Sequence, residues 1–313
     1  MTNCQLPIID CQLISKNYAD IQALQDVSFS VEKGELFGLI GPDGAGKTSL
    51  FRVLTTLLLP DGGKASVAGF DVVKDYKSIR RNIGYMPGKF SLYQDLSVEE
   101  NLNFFATIFK TGIRENYDLI KDIYVQLEPF KNRRAGKLSG GMKQKLALCC
   151  ALIHRPVALF LDEPTTGVDA VSRKEFWEML KRLKQQGITI MVSTPYMDEA
   201  TLCERIALIQ NGKIMSIDTP TAIVSRFPQK LFAAKTADMS RLLRDLRTFE
   251  GIKSCYSFGD VHHFTFYGES ESEHQKLRAF LAENRHQNID IRQIAPTVED
   301  CFMALNDELG KNV

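Results

Sequence analysis

The chain has 313 residues, with Lys+Arg 39 against Asp+Glu 38, 44% apolar and 25% charged. That is enough for two domains with hydrophobic cores, and it supplies neither a disordered composition nor the basic field that a nucleic-acid partner requires. The seven cysteines (Cys4, Cys11, Cys149, Cys150, Cys203, Cys255 and Cys301) form no CxxC pair, so buried reduced thiols are expected rather than a disulfide framework or a zinc ribbon. In chain order, residues 12–18 and 27–31 read as short strands. Gly34 and Glu35 lead into the apolar run 36–40, which has the length of a buried strand. A Gly-rich loop follows, then a predicted helix over 48–58 and a turn at Pro60-Asp61-Gly62-Gly63. Residues 90–155 read as mostly helical. Ser97 and Glu100 make a capping box for a helix over 98–109, and Leu102, Phe105, Ala106 and Phe109 give it one apolar face. Residues 157–161 form a second buried strand, 172–186 a helix stopped by Gly187, and 188–192 a third buried strand. Such alternation implies an α/β fold with a parallel sheet covered by helices.

The pattern changes across a Pro-bounded segment at 219–228. Strand 231–235, helix 239–249, strands 252–258 and 261–267, helix 273–286 and strand 289–294 follow. That β-α-β-β-α-β order is the ferredoxin-like pattern, closed by a helix over 298–309. Two domains are expected: residues 1–220, with a helical subdomain at about 90–155, and a small α+β domain over 221–313. No basic-then-apolar leader is visible in residues 1–10, and no apolar run reaches the roughly 20 residues of a spanning helix. Any membrane pore would be another chain's.

Two motifs carry chemistry. Gly41-Pro42-Asp43-Gly44-Ala45-Gly46-Lys47-Thr48 matches G-x-x-x-x-G-K-[ST]. Glycines let such a loop turn its backbone N–H groups onto phosphate oxygens at the start of a helix, whose dipole also favours an anion. Lys47 would sit on the β and γ phosphates, and the Thr48 hydroxyl is a natural Mg²⁺ ligand. By chance the pattern arises in roughly one chain of this length in a hundred, and here it also follows a buried strand and opens a helix. Asp162 and Glu163 end the apolar strand 159–161. Asp162 is suited to hold Mg²⁺, and Glu163 to act as general base on the attacking water.

With Leu138-Ser139-Gly140-Gly141-Met142, these residues make the chain resemble the nucleotide-binding subunits of ABC transporters over about residues 6–220. Within that family it is most similar to subunits serving ABC-2-type exporters, multidrug exporters included, and Pro296-Thr297-Val298-Glu299-Asp300-Cys301-Phe302 resembles a C-terminal extension many of those carry. The resemblance implies a P-loop NTPase core that binds ATP and Mg²⁺ and hydrolyses ATP. It implies that Gly41 to Thr48 is Walker A, that Asp162 ends Walker B, and that Glu163 is the catalytic carboxylate. Tyr18 would stack on adenine. Ser139, Gly140 and Gly141 would be the signature motif, which contacts ATP held by a second ATPase subunit, and Asp169 the D-loop residue at that interface. Separate transmembrane chains would complete the transporter, with this chain cytoplasmic and peripheral on the inner face of the membrane and the region from Met86 to Asn101 meeting the membrane subunit.

Two positions depart from the family pattern. After Ile83-Gly84-Tyr85-Met86-Pro87 the family usually has Gln, and this chain has Gly88. After Val192-Ser193-Thr194 the family usually has His, and this chain has Pro195. Glycine offers no side-chain acceptor, and proline neither a side-chain donor nor a backbone N–H. The chain's own site is therefore expected to bind MgATP and turn it over slowly. Three readings follow: one half of an asymmetric pair, a homodimer using substitute residues, or a regulatory nucleotide-binding subunit with little catalysis. Soluble relatives acting on ribosomes or DNA usually carry two cassettes or a long coiled-coil insertion, and this chain has neither. His262 and His263 lie on a strand with opposite facing, so spacing gives them no shared ligand face. Trp177 reads as packing, and Arg80-Arg81 and Arg133-Arg134 as solvated or inter-subunit surface.

Overall fold

The computed structural model describes residues 6–268 and 271–310. It divides into two compact units, Met1–Ile223 and Val224–Val313. Cys4 lies outside the described residues. The other six cysteines are free and buried.

In the first unit, β1 (Ile9–Tyr18), β2 (Ile21–Val31), β3 (Leu36–Ile40), α1 (Lys47–Leu54), β4 (Gly62–Val67), β5 (Phe70–Asp71), α2 (Tyr76–Asn82) and β6 (Ile83–Met86) come first. Then follow α3 (Val98–Ile108), α4 (Tyr117–Tyr124), α5 (Gly140–Leu152), β7 (Ala158–Asp162), α6 (Ala170–Gln185), β8 (Thr189–Thr194), β9 (Arg205–Gln210) and β10 (Lys213–Asp218), and the short helix α7 (Pro220–Ser225) spans the division of the chain at Ile223. Two sheets result. One is antiparallel with order β2-β1-β4-β5. The other has order β10-β9-β3-β8-β7-β6 and is parallel except for the antiparallel edge strand β10. Every residue of β3, β7 and β8 is buried, as strands covered on both faces must be. Phe29 of β2 stacks on Phe37 of β3 at 5.5 Å, and Phe51 of α1 meets Phe160 of β7 edge-on at 5.9 Å. Aromatic pairs of this kind add about 1 kcal/mol beyond their buried area. The second one presses the helix after the phosphate loop onto the strand that ends in Asp162.

The helix expected over 48–58 stops at Leu54. Thr55 turns its hydroxyl back onto Phe51 O at 2.8 Å, and Thr56 takes φ 63°, which ends helical propagation. The capping box of α3 forms as expected: Ser97 N donates to Glu100 at 2.7 Å and Glu100 N to Ser97 Oγ at 3.2 Å. Such a cap is worth roughly 1 kcal/mol. Trp177 is 2% exposed in the core. Arg80 donates to Thr56 Oγ1 and O at 2.8 and 2.7 Å, and Arg133 stacks on Phe130.

The second unit runs β11 (Leu231–Lys235), α8 (Met239–Thr248), β12 (Ile252–Phe258), β13 (Val261–Phe266), α9 (Glu271–Glu283), β14 (Asp290–Ile294) and α10 (Val298–Gly310). Its sheet is antiparallel with order β12-β13-β11-β14, the ferredoxin-like arrangement of a β-α-β-β-α-β chain. Phe232, Leu242, Leu246, Phe264, Leu277 and Leu281 form its core. His262 and His263 are separately satisfied. His262 is bonded to Ser257 Oγ and Met239 O at 3.0 and 2.7 Å, and His263 to Asp300 at 2.8 Å. Among the described residues no helix is long and apolar enough to cross a membrane.

Candidate nucleotide-binding site

The loop after β3 is held from behind by backbone. Gly41 N donates to Thr194 O at 3.3 Å, and Gly212 N to Ala45 O at 3.0 Å. A Cβ on Gly41 would lie 2.2 Å from Ile209 O, so only glycine lets the loop pass the tip of β9. Gly46 has φ 103° and precedes α1 with no side-chain cap on that helix, which leaves its first N–H groups open to an anion. Lys47 is 3% exposed. Its Nζ donates to Gly41 O at 2.8 Å and Pro42 O at 2.9 Å, and meets Glu163 Oε1 at 3.1 Å. Asp43 is exposed, 4.0 Å from the same ammonium.

Asp162, 2% exposed, ends β7 and accepts from Ser193 Oγ at 2.6 Å. Glu163 has φ 50°, a left-handed conformation uncommon outside glycine, and its N–H donates to Ser193 O at 3.1 Å and Ser193 Oγ at 3.0 Å. Gly88 lies against this tip: a Cβ there would be 3.1 Å from Asp162 O and 3.8 Å from the Glu163 Cβ. Pro195 directly follows Thr194, whose carbonyl supports Gly41. Position 88 therefore borders the Asp162–Glu163 tip, and position 195 follows the residue that braces the phosphate loop. Tyr18, 40% exposed, ends β1 with its hydroxyl 3.4 Å from Ser49 Oγ on α1. Beside it Asp61 accepts from Lys16 Nζ and Asn17 N, both at 2.7 Å, and these bonds hold the Asp61 carboxyl below the usual range. Burial and the Asp162 charge push the Tyr85 hydroxyl up to about 12.

A Mg²⁺–nucleotide suits this donor set. The start of α1 carries no side-chain cap. The Thr48 hydroxyl has no protein partner among the described residues, and neither does Asp162 Oδ2. Phosphate donors, a hydroxyl and a carboxylate oxygen are thus unspent at one strand–helix junction, where α1 packs on β7.

The remaining sequence-selected residues gather elsewhere in the unit. Ser139 caps α5 by accepting from Met142 N at 3.4 Å, and Ser139 and Gly140 are exposed. Asp169 caps α6, accepting from Val171 N and Ser172 N at 3.1 and 2.9 Å, and these donors lower its carboxyl. A Cβ on Gly141 would fall 2.8 Å from Ser172 Oγ, so the two helix starts lie side by side.

Sequence reasoning missed Ser193 and a cluster behind Pro195. Arg173 of α6 stacks on the Tyr196 ring at 4.2 Å, and its Nε lies 3.7 Å from Glu199. Glu199, 1% exposed, accepts from Thr194 Oγ1 at 2.5 Å. The available signal was polar residues inside an apolar strand and just beyond it.

Comparison with known proteins gives a consistent picture. Residues 24–166 match the family model described as ABC transporter. The chain is 41% identical over 215 residues to the probable multidrug ABC transporter ATP-binding protein YbhF of Escherichia coli (strain K12), covering 68% of this chain and 37% of that protein's length. It is 37% identical to the daunorubicin resistance ATP-binding protein DrrA2 of Streptomyces coeruleorubidus over 97% of this chain and 96% of the relative. Among solved structures, an ATP binding subunit of an ABC transporter superposes with TM-score 0.64 at 27% identity, over 70% of this chain and 93% of that one. The ATP-binding cassette MJ0796, in a dimeric post-hydrolysis state bound to ADP and Pi, superposes with TM-score 0.62 at 25% identity over 67% and 98%.

Proposed function

The chain belongs to the ATP-binding subunits of ABC transporters, and on that premise we propose that it binds and hydrolyses MgATP to power an exporter whose transmembrane chains are separate. The observation that carries this reading is the Lys47–Glu163 contact at 3.1 Å, which sets the phosphate-binding ammonium beside a carboxylate able to take a proton from water. Lys47 would exchange its bonds to Gly41 O and Pro42 O for phosphate oxygens, freeing Glu163. Thr48 and Asp162 would hold Mg²⁺, which when bound neutralises phosphate charge. Tyr18, at the edge of the loop, would receive the adenine.

The exposed starts of α5 and α6 support pairing with a second ATPase subunit, whose nucleotide Ser139, Gly140 and Gly141 would bind while Asp169 faces the interface. A groove of about 300 Å³ lined by Leu57, Met86, Pro87, Leu92, Phe105 and Phe109 suits an apolar segment of the membrane chain. That docking would hold the subunit peripherally on the cytoplasmic face.

Gly88 and Pro195 favour a second reading for the chain's own site. Loss of one donor to transition-state charge costs roughly 10²–10³ in rate, so this site would hold MgATP while the partner's site does most of the turnover. In the extreme the chain is a regulatory nucleotide-binding subunit. Mg²⁺-dependent ATPase activity of the purified chain, compared with Glu163→Gln, separates these. Glu163-dependent turnover by the wild type alone supports a catalytic homodimer. Tight MgATP binding without turnover supports the asymmetric or regulatory role. Absence of nucleotide binding refutes both.

A further inference from the structure

We infer that Ser193 is a positioning residue that sets both site carboxylates with one hydroxyl. The inference rests on the function proposed above. Ser193 lies on β8, fully buried, opposite Asp162 in the β7–β8 register and opposite Leu39 in the β3–β8 register. It therefore stands between the strand that leads into the phosphate loop and the strand that ends in the acids.

The hydrogen-bond directions admit one arrangement. A backbone N–H can only donate, so Ser193 Oγ accepts from Glu163 N at 3.0 Å. The single hydroxyl proton is then directed to Asp162 Oδ1, 2.6 Å away. That bond occupies one carboxylate oxygen and leaves Oδ2, which no described protein group engages, as the oxygen that would be available to Mg²⁺. The same hydroxyl, with Ser193 O at 3.1 Å, fixes the N–H of Glu163. Glu163 needs that restraint because its backbone sits at φ 50°, a conformation a non-glycine residue keeps only when its surroundings impose it. Ser193 thus couples the orientation of the Asp162 carboxylate to the turn that sets Glu163 beside Lys47. Groups that orient a metal ligand from behind commonly change metal affinity 10–100-fold when removed.

The test uses the full chain with Ser193→Ala and the near-isosteric Ser193→Cys, which keeps the volume and loses the strong donor. Binding of a fluorescent ATP analogue is measured with EDTA and then across a Mg²⁺ series, with turnover read in parallel. The expected result is metal-free affinity within twofold of wild type, a half-saturating Mg²⁺ concentration raised about tenfold or more, and lower kcat with little change in KM. Ser193→Thr, which keeps the hydroxyl, restores the Mg²⁺ response. A wild-type Mg²⁺ response in Ser193→Cys overturns the inference, as does an equal loss of metal-free and Mg²⁺-dependent binding in both variants, which would mark a purely structural residue. Wild-type protein that binds no nucleotide under any condition instead overturns the proposed function.

Discussion

Replacing Glu163 by Gln should tighten nucleotide binding while suppressing turnover. In the structure the Glu163 carboxylate lies 3.1 Å from the Lys47 ammonium, with 22% of the Glu163 side chain exposed. At an effective dielectric of about 20, a pair at that distance is worth about 5 kcal/mol, an upper bound that the exposure of Glu163 lowers substantially. Phosphate must displace this carboxylate from Lys47 and then tolerate its charge nearby. Glutamine removes the charge and keeps the shape. Recovery of about 1.4 kcal/mol would tighten Kd roughly tenfold. Removal of the base should lower kcat by about 10²–10⁴. The assay is equilibrium binding of a fluorescent ATP analogue together with phosphate release at saturating MgATP. Weaker binding by Glu163→Gln would refute the competition argument. Turnover within twofold of wild type would refute the assignment of Glu163 as base.

Three further outcomes follow from the same geometry. Pro195→His restores a donor at the tip that supports Gly41 and should raise turnover of the chain's own site by up to about 10²-fold, whereas Gly88→Gln should give less, because its Cβ meets Asp162 O at 3.1 Å and that carbonyl must first shift; single-turnover phosphate release on both variants checks this. Gly46→Ala combines φ 103° with a Cβ 2.4 Å from Ala23 O and should weaken nucleotide binding at least 10²-fold, while Gly44→Ala, whose Cβ meets nothing within 4 Å, should cost only the strain of its positive φ, about 1 kcal/mol in a denaturation experiment. His154 supplies a pH test: burial pushes its imidazole down to about 4 from the ordinary 6.5, Nε2 bonds Ile83 O at 2.9 Å, and the ring stacks on Phe109. The folded value lies below the unfolded one, so the unfolded chain binds the extra proton. Stability from this residue is complete above pH 6.5 and is lost as pH falls toward 4, by roughly 1–2 kcal/mol after allowance for partial exposure. Chemical denaturation of wild type and His154→Leu at pH 7 and 5 should show a smaller acid loss in the variant.

What was legible in the sequence was what local chemistry decides. Runs such as Leu36–Ile40 and Ala158–Asp162 are apolar enough to be strands buried on both faces. Ser97 and Glu100 cap a helix by rules that operate within three residues. The second unit alternates so regularly that its elements could be read to within a few residues. The expected helix over 48–58 overran because Leu57 and Leu58 extend the apolar pattern. Periodicity does not register the turn set by Thr55 and Thr56, and Leu57 remains 55% exposed. The pair β9 and β10 was not anticipated, since Arg205–Gln210 has polar ends and a short apolar centre.

The site divides along the same line. A loop motif announces itself because eight consecutive residues do the work, whereas Ser193 matters only because the β7–β8 register places it opposite Asp162, 31 residues away in the chain. The departures at Gly88 and Pro195 are visible in sequence only as missing groups. In the fold Gly88 lies against the Asp162–Glu163 tip, and Pro195 follows the Thr194 carbonyl that supports the loop at Gly41. Arg173 stacks on Tyr196, next to Pro195, and pairs with the buried Glu199 that also holds Thr194. That contact ties the start of α6, which Asp169 caps and Gly141 packs against, to the strand tip that orients the chain's own carboxylates. Packed side chains thus run from the exposed helix starts to the strand tip beside Glu163, none of it visible in the spacing of the sequence.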